Sequence, residues 1–205
     1  MSTAVQTETA ETNAAPPPVR RDIFTPIHKG MRRLLFESAM AIGRTDFGAP
    51  DEVAATETVL FNCLRFLEDH ATHEDGHVMP VVARLAPDFA AAMAPEHPAL
   101  ERAAREIQWL WERLRPLAGA ARVALGGDIQ RRFNAYVADQ LRHMDKEERE
   151  VNAVLWAHLA DSDLLAISGR IVADVGPARM REFGAVLSGA LNRRELEVME
   201  RAAGR

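Results

Sequence analysis

Residues 128–155 read DIQRRFNAYVADQLRHMDKEEREVNAVL. Ile129, Phe133, Tyr136, Val137, Met144, Val151, Val154 and Leu155 recur at spacings of three, four and seven, which marks one apolar face of a long helix. Asp128 stands where an N-cap is expected. At about 100° per residue, His143 falls on the line of Tyr136 and Val154, and Glu147, one turn later, lies about 40° from it. The face that must be buried therefore carries an imidazole and a carboxylate. Left without partners, such groups are expensive in a core, or the carboxylate is forced neutral.

The same arrangement appears upstream. Asp51 caps a helix with Val59, Cys63, Phe66, Leu67 and Val81 on one face, and His70 shares the line of Val59, Cys63 and Val81. His70-Ala71-Thr72-His73-Glu74 repeats the H-x-x-x-E spacing of His143 and Glu147. Thr25-Pro26 reads as an N-cap followed by proline at the first helical position. That first helix runs to about Gly43 with a stripe of Phe24, Ile27, Met31, Leu34, Leu35 and Ile42, and His28 lies inside it. A further helix, from near Pro95, shows Leu100, Ala104, Ile107, Trp111 and Leu114, bordered by His97.

Segments 43–50, 87–94 and 116–127 read as connections, and Pro80 kinks or ends the second helix. Beyond Asp161, helices are expected over about 163–175, stopped by Gly176-Pro177, then from Pro177 to about Leu191, then from Asn192 through Ala203. Strand-type alternation and solenoid repeats are absent. The expectation is an all-α protein: a disordered tail over 1–20, an up-down four-helix bundle over 23–160, and a helical C-terminal extension over 161–205.

Composition narrows the function. The chain has 205 residues, 47% of them hydrophobic, and 25 basic against 30 acidic residues leave a net charge of −5. Such a balance carries no basic stripe, so no nucleic-acid partner is expected. A single cysteine, Cys63, excludes an internal disulfide framework and a cysteine-rich zinc site. No apolar run reaches the ~18 residues of a membrane span, and no basic, then apolar leader opens the sequence. A cytoplasmic protein with no membrane partner is expected.

A lone histidine on an apolar face is ordinarily a satisfied core residue. Here four helices each send one inward: His28, His70, His97 and His143. Four buried imidazoles need partners for eight ring nitrogens, and ordinary cores avoid that. A shared metal gives each a partner, and two inward glutamates, Glu74 and Glu147, complete a donor set for two transition-metal ions.

The segments HATHEDGHVMPVV (70–82), EHPALE (96–101) and HMDKEEREV (143–151), following an early histidine, resemble the hemerythrin-like, or HHE cation-binding, family over about residues 23–160. The resemblance implies a hemerythrin-like bundle holding a non-heme di-iron centre, with manganese or zinc compatible with the same donors. By matching positions it implies His28, His70, Glu74, His97, His143 and Glu147 as ligands. Glu148 occupies the alternative i+5 carboxylate position and reads geometrically as a rim residue or as one that stands behind the ligands. The oxygen carriers of this family have H-x-x-x-H on the third helix, whereas this chain has His97-x-x-x-Glu101. That departure weakens an oxygen-storage role and leaves Glu101, His77 and His73 as further candidates to complete the site. The function expected is binding or sensing of a small diatomic or peroxide ligand (oxygen, nitric oxide or peroxide), or iron handling. Alternatives are a carboxylate-rich di-iron peroxidase or oxidase, and a regulatory module whose metal is structural and whose C-terminal helices bind a protein partner.

Overall fold

A computed structural model describes residues 20–202. The tail expected over 1–20, except Arg20, and residues 203–205 of the expected C-terminal extension lie outside the described residues. Four long helices form the bundle: α1 (Thr25–Arg44), α2 (Pro50–His77), α5 (Glu96–Leu114) and α6 (Gly119–Lys146). Two short helices, α3 (Met79–Leu85) and α4 (Pro87–Met93), join α2 to α5. A π-helical turn (Glu147–Val151) carries α6 into α7 (Asn152–His158); α8 (Asp161–Ser188) and α9 (Arg193–Ala202) follow. No strand occurs among the described residues.

Around the bundle, α1 packs on α2, α2 on α5, α5 on α6, and α6 on α1. Neighbours in the chain are thus neighbours in space, the up-and-down arrangement. Its consequence is positional. The first turns of α1 and α5 meet the last turns of α2 and α6 at one end of the bundle, where His28, His97, His70 and His143 sit.

The apolar core is divided at that end. Met31, Leu67, Leu100 and Met144 belong to the larger cluster, which runs down the bundle. Phe24, Val78, Val151 and Leu155 belong to a second cluster, shared with α3, α4 and the start of α8. Along α1, His28 falls between Phe24 and Met31; along α2, His70 and Glu74 fall between Leu67 and Val78; along α6, Glu147 falls between Met144 and Val151. A polar layer therefore separates two apolar clusters.

Several local expectations are corrected. The first helix is capped by Asp22, whose Oδ1 accepts from the Phe24 and Thr25 amides at 2.9 and 3.0 Å; Thr25 is already helical. Asp51 is not a cap, since α2 starts at Pro50. Residues 87–93 are helical, because Pro87 suits a first helical turn and the following alanines continue it. The fourth bundle helix begins at Gly119, nine residues before Asp128, and runs through Gly126 and Gly127. Gly126 is required there for packing: a Cβ on it would lie 2.1 Å from the Phe47 ring, so the ring takes the place of a side chain. Val59 is 39% exposed, and Val81 belongs to α3. The break at Gly176-Pro177 falls where expected: Gly176 has φ 73° and ψ 163°, and Pro177 restarts the helix.

Candidate metal centre

Six side chains converge in the polar layer. His28 and Glu147 have no exposed surface, and Glu74 has 4%. They fall into two groups that share both carboxylates: His28, His70, Glu74 and Glu147; and Glu74, His97, His143 and Glu147. Within each group one ligand atom per residue lies within 4.8 Å of the others.

The atoms sort cleanly between the groups. Glu74 Oε1 faces His70 Nε2 at 3.2 Å and His28 Nε2 at 3.6 Å, while Glu74 Oε2 faces His97 Nε2 at 3.5 Å. Glu147 Oε1 faces His143 Nε2 at 3.2 Å and His97 Nε2 at 3.7 Å, while Glu147 Oε2 faces His28 Nε2 at 3.5 Å. Each glutamate thus offers one oxygen to each group, and each group holds two imidazole nitrogens and two carboxylate oxygens.

None of these contacts satisfies the atoms as a hydrogen bond: the longer ones are stretched, and the two at 3.2 Å are within reach but poorly aligned. Eight of the ten buried side-chain nitrogen and oxygen atoms without a hydrogen-bond partner among the described residues are the four Nε2 atoms and the four oxygens of Glu74 and Glu147. Buried polar groups are ordinarily paired, and eight orphans facing two points ask for a shared partner. Donors about 2.1 Å from a tetrahedral centre stand about 3.4 Å apart, which the 3.2–3.7 Å separations match. The nitrogen and oxygen donor set suits divalent first-row metals.

The outer ring nitrogens are held by other carboxylates. His28 Nδ1 donates to Glu148 Oε1 at 3.0 Å, His97 Nδ1 to Asp75 Oδ1 at 2.7 Å, and His143 Nδ1 to Glu96 Oε2 at 2.8 Å. A carboxylate can only accept, so each bond keeps the proton on Nδ1 and turns the Nε2 lone pair inward. Glu148 also accepts from Arg32 at 2.7 Å, and Glu96 from Lys146 at 2.5 Å. Glu148 therefore lies beside α1 and braces His28 from behind, rather than at the rim, the first of the two places left open for it.

The electrostatics follow from this crowding. Burial pulls His28 down, but Glu148, Glu74 and Glu147 outweigh it and hold the imidazole near 9. His97, pulled down by burial and pushed up more strongly by Glu147, Glu74 and Asp75, rises to about 11. His70, fully enclosed, is lowered to about 4, because burial exceeds the pull of Glu74. Burial raises Glu74, yet His70, His28 and His97 keep it well below the usual carboxylate range. Glu148, beside His28 and Arg32, is brought down to about 2 against its own burial.

The remaining candidates lie outside both groups. Glu101 pairs with Arg105, and His77 Nε2 meets Asp174 Oδ2 of α8 at 2.9 Å. His73 lines a cavity beneath α8. His158 bonds its own helix through the Val154 carbonyl. Asp75 and Glu96 fall inside the motifs at 70–82 and 96–101, beside Glu74 and His97, but the sequence alone assigns no role to either. A pocket of about 220 Å³ opens onto His70, Glu74, His97 and His143, and Tyr136 and Gln140 also line it. Gln140 Nε2 donates to the Tyr136 hydroxyl at 2.8 Å.

No curated protein matches the sequence. A family description does: the hemerythrin HHE cation binding domain matches residues 20–155, the stretch that builds the bundle and all six converging residues. On this match, the chain belongs to the hemerythrin HHE cation-binding domain family.

Proposed function

We propose that the protein is a non-heme dinuclear iron protein that binds or senses a small oxidant. The observation that supports it best is the set of eight orphaned buried donor atoms, divided evenly around two points. In this reading His28 and His70 would hold one ion, His97 and His143 would hold the other, and Glu74 and Glu147 would serve both. Iron at these positions would supply open coordination sites and one-electron redox chemistry to a small ligand.

The chain's own residues set the conditions. Glu148, Asp75 and Glu96 orient three of the four imidazoles, so the ligands need little reorganisation on binding. Two bridging carboxylates leave a site of two dications with excess positive charge, which suits an anionic or reducible ligand. Glu101 faces Arg105 and brings no nitrogen donor, so the ions keep fewer imidazoles than in the oxygen carriers, and a harder donor set favours the higher oxidation state.

The test is elemental analysis and visible absorption of the iron-loaded full chain, before and after dithionite and again after air. About two ions per chain and absorption that disappears and returns are expected. Less than half an ion per chain overturns the reading. The pocket lined by Tyr136 favours a peroxidase or oxidase as the second reading, and reductant-dependent turnover of peroxide distinguishes it from reversible binding.

A further inference from the structure

A second cavity of about 160 Å³, partly open, lies between α8 and the α1–α2 edge of the bundle. Half of its wall comes from α8 on both sides of the Gly176 break, with Ile171 and Val175 before it and Phe183 and Leu187 after it. Ile27 and Val78 face them from the bundle. His70 and Glu74 also line it, so the cavity abuts the group that holds His28.

Its chemistry differs from that of the pocket beside Tyr136. Among the described residues no lysine or arginine lines it, and the Ser168 hydroxyl is committed to the Leu164 carbonyl at 3.1 Å. In the metal-free chain the Glu74 carboxylate would repel an anion. The Tyr136 pocket, by contrast, carries Glu68, Asp75, Glu101, Arg105 and Gln108 and suits water and polar species.

The α8 wall is anchored rather than draped. Asp174 meets His77 at 2.9 Å, and Arg179 Nε donates to Asp69 at 2.7 Å. The Arg179 guanidinium covers the Phe66 ring at 3.9 Å from its centroid and lies 5.1 Å from that of Phe183. Gly176, at φ 73°, bends the helix so that both halves reach the bundle.

We propose that α8 completes a chamber for a small uncharged apolar molecule of diatomic size and delivers it to the His28–His70–Glu74–Glu147 group. The delivery rests on the dinuclear reading; the binding does not. An apolar cavity of about 150 Å³ is enough to take up xenon or benzene. An uncharged apolar guest brings no polar group of its own to be satisfied against the aliphatic and aromatic walls, whereas a charged or strongly hydrated one would have to be stripped of water with only His70, His73 and Glu74 to receive it.

Xenon is the probe, titrated by NMR into the metal-free full-length chain. A saturable xenon shift is expected, lost in Val175→Phe and in Ile171→Trp, each checked for folding by circular dichroism; two positions protect against one variant failing to fold. In iron-loaded chains of confirmed metal content, dithionite-reduced Val175→Phe should be oxidised by dissolved dioxygen at least tenfold more slowly than the parent. A parent shift that never saturates, or saturation that survives both substitutions, overturns the chamber. Xenon binding lost while oxidation keeps the parent rate overturns delivery. Xenon binding in a chain that takes up no iron supports the chamber and refutes the dinuclear reading.

Discussion

Glu147 and Glu148 are adjacent in sequence and take different jobs. Glu147 has no exposed surface and points both oxygens at imidazole Nε2 atoms; Glu148 holds the far side of His28 and Arg32. In the dinuclear reading Glu147→Gln keeps the shape but removes a bridging charge, and at least one ion per chain should be lost. Glu148→Gln retains an amide oxygen to accept from His28 Nδ1, and its cost should stay within the about 10–100-fold in affinity usual for groups that orient a ligand. Metal stoichiometry of the two variants, measured side by side, checks this; loss of the site in Glu148→Gln alone would reverse the assignment. Helical angle alone placed Glu147 with His143, because both lie on one α-helical face up to the residue where the π turn begins. Glu148 sits inside that wider turn, where the α-helical angle no longer applies, and its contact with α1 was not legible.

Helix boundaries were legible where backbone chemistry decides them. Gly176 combines φ 73° with ψ 163°, a region that essentially only glycine occupies, and a Cβ there would meet nothing within 4 Å. Gly176→Ala should therefore cost about 1–3 kcal/mol through backbone strain alone, with no clash. Chemical denaturation of the two chains measures it, and an unchanged midpoint would show that α8 can straighten. Boundaries failed where a tertiary contact overrides local preference. Gly126-Gly127-Asp128 has the composition of a turn and a cap, yet it lies inside α6, because the Phe47 ring packs against the bare backbone of Gly126. Phe47 is remote in sequence, so no local window contains the reason. Asp22 displaced Thr25 as the cap for a related cause: Asn152, from α7, donates to Asp22 Oδ1 at 2.9 Å and fixes it beside the helix start.

For the whole molecule, the polar layer between two apolar clusters ties stability to occupancy. Without a cation, four imidazoles and two carboxylates are crowded in a core with eight unpaired atoms. A metal that binds only the folded chain at a hundredfold excess over its Kd adds about 3 kcal/mol. For a chain of this size that is a rise of about 5–11 °C in Tm. Differential scanning of the iron-loaded and chelated chains tests it, and equal midpoints would refute the coupling. The sequence by itself determined the all-α class, the four amphipathic helices and the inward direction of His28, His70, Glu74, His97, His143 and Glu147, because helical periodicity converts spacing directly into facing. Only the tertiary structure decided that these six meet at one end of the bundle in two groups with shared carboxylates, that Glu148, Asp75 and Glu96 brace the imidazoles, and that α8 folds back to wall a cavity beside them. Those relations join residues 22 to 120 positions apart, and they depend on how separate helices are packed rather than on the pattern within any one of them.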